Sequence, residues 1–167
     1  MSQKFTYNSS FPSVEDLKNK AKKRVPRFAF DYLEGGANEE LNLARNENDF
    51  DNILLKPQYL QASEEIDLSV ELFGRRYSAP FGVSPIGLQG LMWPNAPEIL
   101  AKAAANNDIP YILSTVSTSS IERIAEVSQG KAWFQLYHPT ENRLRDDIIR
   151  RLQAVECPVL VVLVDVP

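Results

Sequence analysis

The apolar positions of this chain follow two rhythms. From Ser13 to Phe50 they recur every three or four residues, and from Pro80 onward short apolar runs alternate with amphipathic stretches. In "SVEDLKNKAKKRV", Ser13 and Asp16 stand three apart, the capping-box spacing that satisfies the free N–H groups of a first helical turn. Leu17, Ala21 and Val25 then form one stripe. Pro26 breaks that helix and suits the start of the next, "PRFAFDYLEGG", for which Gly35 or Gly36 is the expected stop. "NEELNLARNENDF" predicts a third, more polar helix. After "NILLKP" comes "LSVELFGRRYSAP", whose pattern predicts a hairpin turning at Phe73-Gly74-Arg75. Such a piece could plug or cover one end of a larger fold.

The second rhythm is a repeat. "PFGVSPIG", "PYILSTVS", "AWFQLY" and "CPVLVVLVDVP" read as strands. The last is apolar and rich in β-branched valine, so burial on both faces is expected. Between them lie three helices. "APEILAKAAANND" carries Ile99, Leu100, Ala103 and Ala104 on one side. "SSIERIAEVSQG" is capped by Ser119 with Glu122 and closed by Gly130. "TENRLRDDIIRRLQAVE" carries Leu144, Ile148, Leu152 and Val155 inward, with Asp146–Arg150 as a surface charge pair. The order βαβαβαβ implies an α/β fold with a parallel sheet covered by helices. Residues 1–79 are then a helical segment and hairpin acting as a cap, and 80–167 the main repeat. An open doubly wound sheet and a (β/α)8 barrel both fit. "PIGLQG" lacks the first glycine of the dinucleotide fingerprint, which weakens the former. A whole barrel takes about 250 residues, so the expectation is a truncated barrel: an N-terminal cap and the first four βα units.

Composition narrows the function. The 167 residues are 44% hydrophobic and 24% charged with net charge −4, a globular mixture without the basic footprint of a nucleic-acid binder. One cysteine, Cys157, excludes an internal disulfide, and one histidine, His138, excludes a histidine metal cluster within the chain. Cys157 reads as a buried structural thiol. "MSQKFTYNSSFPS" has no apolar signal core, and no apolar run is long enough to span a membrane, so a cytoplasmic location is the default. Trp93-Pro94 reads as loop packing.

Chemistry gathers at the strand ends. The four runs finish in "SPIG" (Ser84 to Gly87), "STVS" (Ser114 to Ser117), Gln135 with Tyr137, and Asp165. Gln135 and Tyr137 are two apart and so share a face. Buried polar groups cost about 1–3 kcal/mol each when unpaired. A polar, planar ligand across the strand ends, where βα barrels bind, would supply the partners.

"FDYLEGGAN", "PIGLQGLMWP", "LSTVSTSSIE", "WFQLY" and "LVDVP" occur in an order and spacing that resembles the FMN-dependent α-hydroxy-acid dehydrogenases and oxidases, over nearly the whole chain. "DYLEGGA", "WP" and "LSTxS" are most similar to the mandelate-dehydrogenase branch. The resemblance implies a (β/α)8 barrel with FMN at its C-terminal mouth and oxidation of an L-2-hydroxy acid to the 2-oxo acid. It assigns Tyr32 and Tyr137 to the substrate carboxylate, Tyr137 also to catalysis, and Asp165 to orienting the catalytic histidine. Pro85, Ile86 and Gly87 would lie against the flavin, Ser114 would hydrogen-bond it, and Gln135 would read its pyrimidine edge. A homotetramer is implied for full-length members, while the electron acceptor stays open. Gly87, where several oxidases have alanine, leans toward a dehydrogenase or monooxygenase.

Two positions depart from the family pattern. Leu163 replaces a flavin-bonding threonine, and Val116 stands where some oxidases carry tryptophan, which implies a roomier pocket. The family's catalytic histidine, its arginine three residues on, and a lysine near the flavin are not assignable here. His138 falls on the opposite face from Gln135 and Tyr137. The chain alone is therefore expected to be inactive. Two alternatives stay open: a non-catalytic half-barrel that oligomerises or binds a partner, and a flavin-dependent isomerase on a similar barrel.

Overall fold

The computed structural model describes residues 9–60 and 66–164, which fall into two compact units, 1–62 and 63–167. In the first unit, α1 (Val14–Lys22) begins with the expected capping box: Asp16 N–H donates to Ser13 Oγ at 3.2 Å, and Ser13 N–H to Asp16 Oδ2 at 3.0 Å. α2 (Arg27–Glu34) follows Pro26, buries Ala29 and Phe30, and ends at Gly35. An ion pair between Lys18 and Glu34 ties α1 to α2. The polar α3 (Leu41–Asn48) runs into a 3-10 turn, Asp49–Asn52.

The second unit opens with the expected hairpin. β1 (Val70–Leu72) pairs antiparallel with β2 (Arg75–Tyr77), and Phe73 and Gly74 both take positive φ (52° and 73°). Two-residue turns of that kind match the twist of the flanking strands. Then come α4 (Gln89–Met92), α5 (Ala96–Asn106), β3 (Ile112–Ser114), α6 (Ile121–Val127), β4 (Trp133–Leu136), α7 (Asn142–Ala154) and β5 (Leu160–Val162). The sheet is parallel in the order β3-β4-β5, with Ser114 opposite Gln135 and Gln135 opposite Val161.

The two faces of this sheet differ. Tyr111, Leu113, Phe134 and Leu136 point to the helices and close a core with Ala101, Ala104, Ile121, Ile124 and Leu152. Alternation sends Trp133 and Gln135 to the other face. There the hairpin covers Trp133. Phe73 and Tyr77 meet its ring edge-on at 5.4 and 6.0 Å, and its indole N–H donates to the Tyr77 hydroxyl at 2.9 Å.

Several expectations need correction. "PFGVSPIG" is not a strand but a single parallel bridge, Val83 to Tyr111. Val83 N–H donates to Pro110 O at 2.8 Å and Ile112 N–H to Val83 O at 3.1 Å. The rungs before and after would need N–H groups from Pro110 and Pro85, which proline lacks. β5 is not buried on both faces: it is the sheet edge, and Leu160 and Val162 are 41% and 54% exposed. On α5 the buried side is Pro97, Ala101, Ala104 and Ala105; Ala104 and Leu100 pack inward as expected, while Ile99 is exposed. On α7, Leu152 is buried and Ile148 and Val155 pack against the core as expected, and only Leu144 is exposed. α6 is capped by Ser120, whose Oγ accepts from Arg123 N–H at 3.2 Å, not by Ser119. Arg150 pairs with Asp147 rather than Asp146. Trp93 is exposed rather than packed.

α6 and α7 are joined by a two-pronged pair: Arg151 Nε and a terminal nitrogen each donate to a Glu122 carboxylate oxygen at 2.7 Å. The Arg151 hydrogen bonds hold the Glu122 carboxyl at about 2, below its ordinary 4.5. A carboxyl depressed on folding contributes stability above its unfolded value and loses it as pH falls through the folded one. Both side chains are partly exposed, so the gain is at most about 1 kcal/mol. Glu122→Gln is expected to melt slightly below wild type at neutral pH, and the gap should close between pH 4.5 and about 2 in paired melting curves.

Candidate functional site

Ser114 and Gln135 are the last facing pair of the β3–β4 ladder, and both are buried, 4% and 1% exposed. Ser114 Oγ accepts from Val116 N–H at 3.3 Å, which leaves its own proton to donate. The Gln135 amide is half satisfied. Its Oε1 accepts the Thr115 backbone N–H at 3.3 Å, while Nε2 is buried with no partner among the described residues. A backbone N–H can only donate, so the atom facing it is the amide oxygen. Gln135 is therefore presented as a donor. Thr115 Oγ1 donates to Gln135 O at 2.5 Å and accepts from Tyr137 N–H at 3.0 Å, which holds the chain as it leaves β4. Tyr137 is half-buried, and His138 beyond it is exposed.

A second loop is fastened beside this pair. Pro85 and Ile86 are half-buried and Gly87 is buried. Just after them Leu88 N–H donates to Val116 O at 3.1 Å, and Gly90 N–H to Thr118 Oγ1 at 3.2 Å. A Cβ on Gly90 would lie 2.3 Å from Thr118 Oγ1, so only glycine permits this approach. On the helix side, Gln89 Oε1 accepts from the Tyr111 hydroxyl at 2.9 Å, and Glu98 Oε1 from Ser119 Oγ at 2.6 Å. Burial, and then the charge of Glu98, pushes the Tyr111 phenol up, so it stays a protonated donor. Gln89 Nε2 and Glu98 Oε2 are buried without partners among the described residues.

The structure thus brings Ser114, Gln135 and Tyr137 together at the strand ends and ties the Pro85–Gly87 loop to Val116. Tyr32 lies on α2 in the first unit, 55% exposed. Asp165 lies outside the described residues. Leu163 N–H donates to Leu136 O at 3.1 Å, so its backbone continues the β4–β5 ladder. Cys157 is half-buried, its thiol against the carbonyls of Ala132 and Val159, and burial pushes its pKa up. Sequence reasoning missed Thr115, Gln89, Tyr111 and Glu98. The available signal was a second hydroxyl beside Ser114, and polar residues inside apolar helices. Among the described residues no His, Cys, Asp and Glu group could hold a metal ion, and no helix is long and apolar enough to cross a membrane.

The family model for FMN-dependent dehydrogenases matches residues 21–167. The chain belongs to that family. An L-lactate dehydrogenase of Haemophilus influenzae is 38% identical over 155 residues, covering 93% of this chain and 41% of the relative. The (S)-mandelate dehydrogenase of Pseudomonas putida is 41% identical over 125 residues, covering 75% and 32%. The crystal structure of mandelate oxidase superposes with a TM-score of 0.87 at 33% identity, over 94% of this chain and 46% of that one. The chain thus spans less than half the length of the relatives it matches.

Replacing Gly90 by Ala is expected to force α4 away from the loop that carries Thr118 and to destabilise the fold by about 1–3 kcal/mol. A urea titration of the two proteins measures it.

Proposed function

We propose that these residues supply the flavin-reading and part of the substrate-reading wall of a (β/α)8-barrel enzyme that oxidises an L-2-hydroxy acid to its 2-oxo acid on FMN. The observation that carries the reading is the buried Nε2 of Gln135, without a partner among the described residues, beside the buried Ser114. Two donors fixed side by side at the end of a parallel ladder suit the carbonyl and ring-nitrogen acceptors of a flavin pyrimidine edge. The Pro85–Ile86–Gly87 backbone would flank the ring, and its buried glycine has no side chain to hold a flat group away. The residues present therefore fit the cofactor on which the family depends.

Bound FMN would supply the acceptor for the hydride of substrate carbon 2. The chain's own residues bind and orient. The Tyr137 phenol, at the exit of β4, and that of Tyr32 would hold the substrate carboxylate. Asp165 would orient the histidine that takes the hydroxyl proton and stabilise its charged form. That base is not His138, which is exposed. These 167 residues alone are therefore proposed to bind without turnover. Relatives named for lactate and for mandelate support a 2-hydroxy acid as the substrate class. Val116, where some oxidases of the family carry tryptophan, would favour a substituent larger than a methyl group.

Titration with FMN, followed by quenching of flavin fluorescence, tests the reading. Wild type is expected to bind. Gln135→Leu is expected to bind about tenfold more weakly or worse, the cost of one buried hydrogen bond, with a melting temperature close to wild type. Absence of FMN binding by wild type, or equal binding by Gln135→Leu, would overturn it.

A further inference from the structure

Thr115 touches both proposed reading residues without being one of them. Its hydroxyl bridges two consecutive backbone sites of the neighbouring strand exit, donating to Gln135 O at 2.5 Å and accepting from Tyr137 N–H at 3.0 Å. Its own N–H meets Gln135 Oε1 at 3.3 Å. The paired ladder stops one residue earlier, at Ser114–Gln135. One residue thus takes over where the sheet stops: its hydroxyl fixes the chain from Gln135 to Tyr137, and its N–H sets which end of the amide is free.

We propose that Thr115 is a positioning residue that orients the Gln135 amide as a donor and aims Tyr137. This rests on the reading of Gln135 as a flavin contact. The amide has two orientations related by a half-turn. Held at Oε1, it offers Nε2; unheld, it can offer the oxygen, which repels an acceptor edge. The hydroxyl is the group that holds the strand exit against the Thr115 N–H, because it alone can donate to a carbonyl and accept from an N–H at once. Serine keeps that capacity. Valine keeps the shape and the backbone N–H but loses the bridge, so the strand exit that carries Gln135 is freed.

The test is a set of FMN dissociation constants for wild type, Thr115→Ser, Thr115→Val, Gln135→Leu and the Thr115→Val/Gln135→Leu double variant, with melting curves to confirm folding. Thr115→Val is expected to weaken FMN about tenfold, the equivalent of one hydrogen bond. Thr115→Ser should stay within about twofold, and Thr115→Val should add less than about twofold once Gln135 is leucine. A residue with only a structural part would weaken FMN equally in both backgrounds. That additivity overturns the proposal, as does near-wild-type binding by Thr115→Val, or a loss in Thr115→Ser as large as in Thr115→Val. If Thr115→Val does not fold, the serine variant and Thr115→Ala carry the same comparison. A wild-type protein that binds no FMN defeats the functional reading and this inference with it, whereas normal FMN binding by wild type with an additive cycle defeats this inference alone.

Discussion

A buried primary amide that is only half satisfied constrains this site more than any other group. Gln135 is among the most enclosed side chains in the chain, yet its nitrogen has no partner among the described residues. An idle buried donor costs about 1–3 kcal/mol, and an apolar residue of similar size would avoid that cost. The neighbouring atoms are arranged to hold the amide in this state. Thr115 engages its oxygen, the ladder fixes its backbone against Ser114 and Val161, and the strand carries it to the end of the sheet. Local stability is given up at this position, which local packing alone does not require.

The division of labour between the two sheet faces makes this possible. The helix-side core of Leu113, Phe134, Leu136, Ile124 and Leu152 is apolar and anchors β3 and β4 from behind. The other face is relieved of that task. At its N-terminal end the hairpin covers Trp133 through two edge-on ring contacts and the Tyr77 hydrogen bond. At its C-terminal end Ser114 and Gln135 present polar atoms. One strand of four residues therefore runs from a closed aromatic plug to a half-satisfied amide.

Much of this was legible beforehand because it rests on local rules. The capping box at Ser13, the stop at Gly35 and the turn at Phe73-Gly74 need only neighbours in sequence, and each formed as read. The period-two pattern put Gln135 and Tyr137 on one shared face. What was misread depends on partners distant in sequence. The β-branched run of β5 looked doubly buried, but burial is decided by what lies alongside, and β5 is the sheet edge. The inner face of α5 is set by small alanines approaching Tyr111 rather than by the larger Ile99. Thr115 was passed over because its importance lies in three bonds across to β4, which no spacing within "LSTVS" reveals.

The single bridge at Val83 shows how backbone chemistry shapes the same site. A longer ladder there would have drawn residues 84–87 into the sheet, their N–H and C=O groups spent on β3. Pro85 and Pro110 remove the donors that both adjacent rungs require. The chain after Val83 is thereby released to turn, and Leu88 takes positive φ (54°) as it enters α4. It is then secured again, by Leu88 N–H to Val116 O, Gly90 N–H to Thr118 Oγ1 and Gln89 to Tyr111. All three bonds lie after Gly87. The Pro85–Gly87 backbone is therefore positioned from behind, by bonds it does not itself make. A segment freed from the ladder and fastened beyond its end leaves its own polar atoms out of the sheet's bonding, as Gln135 leaves its side-chain nitrogen two strands further along.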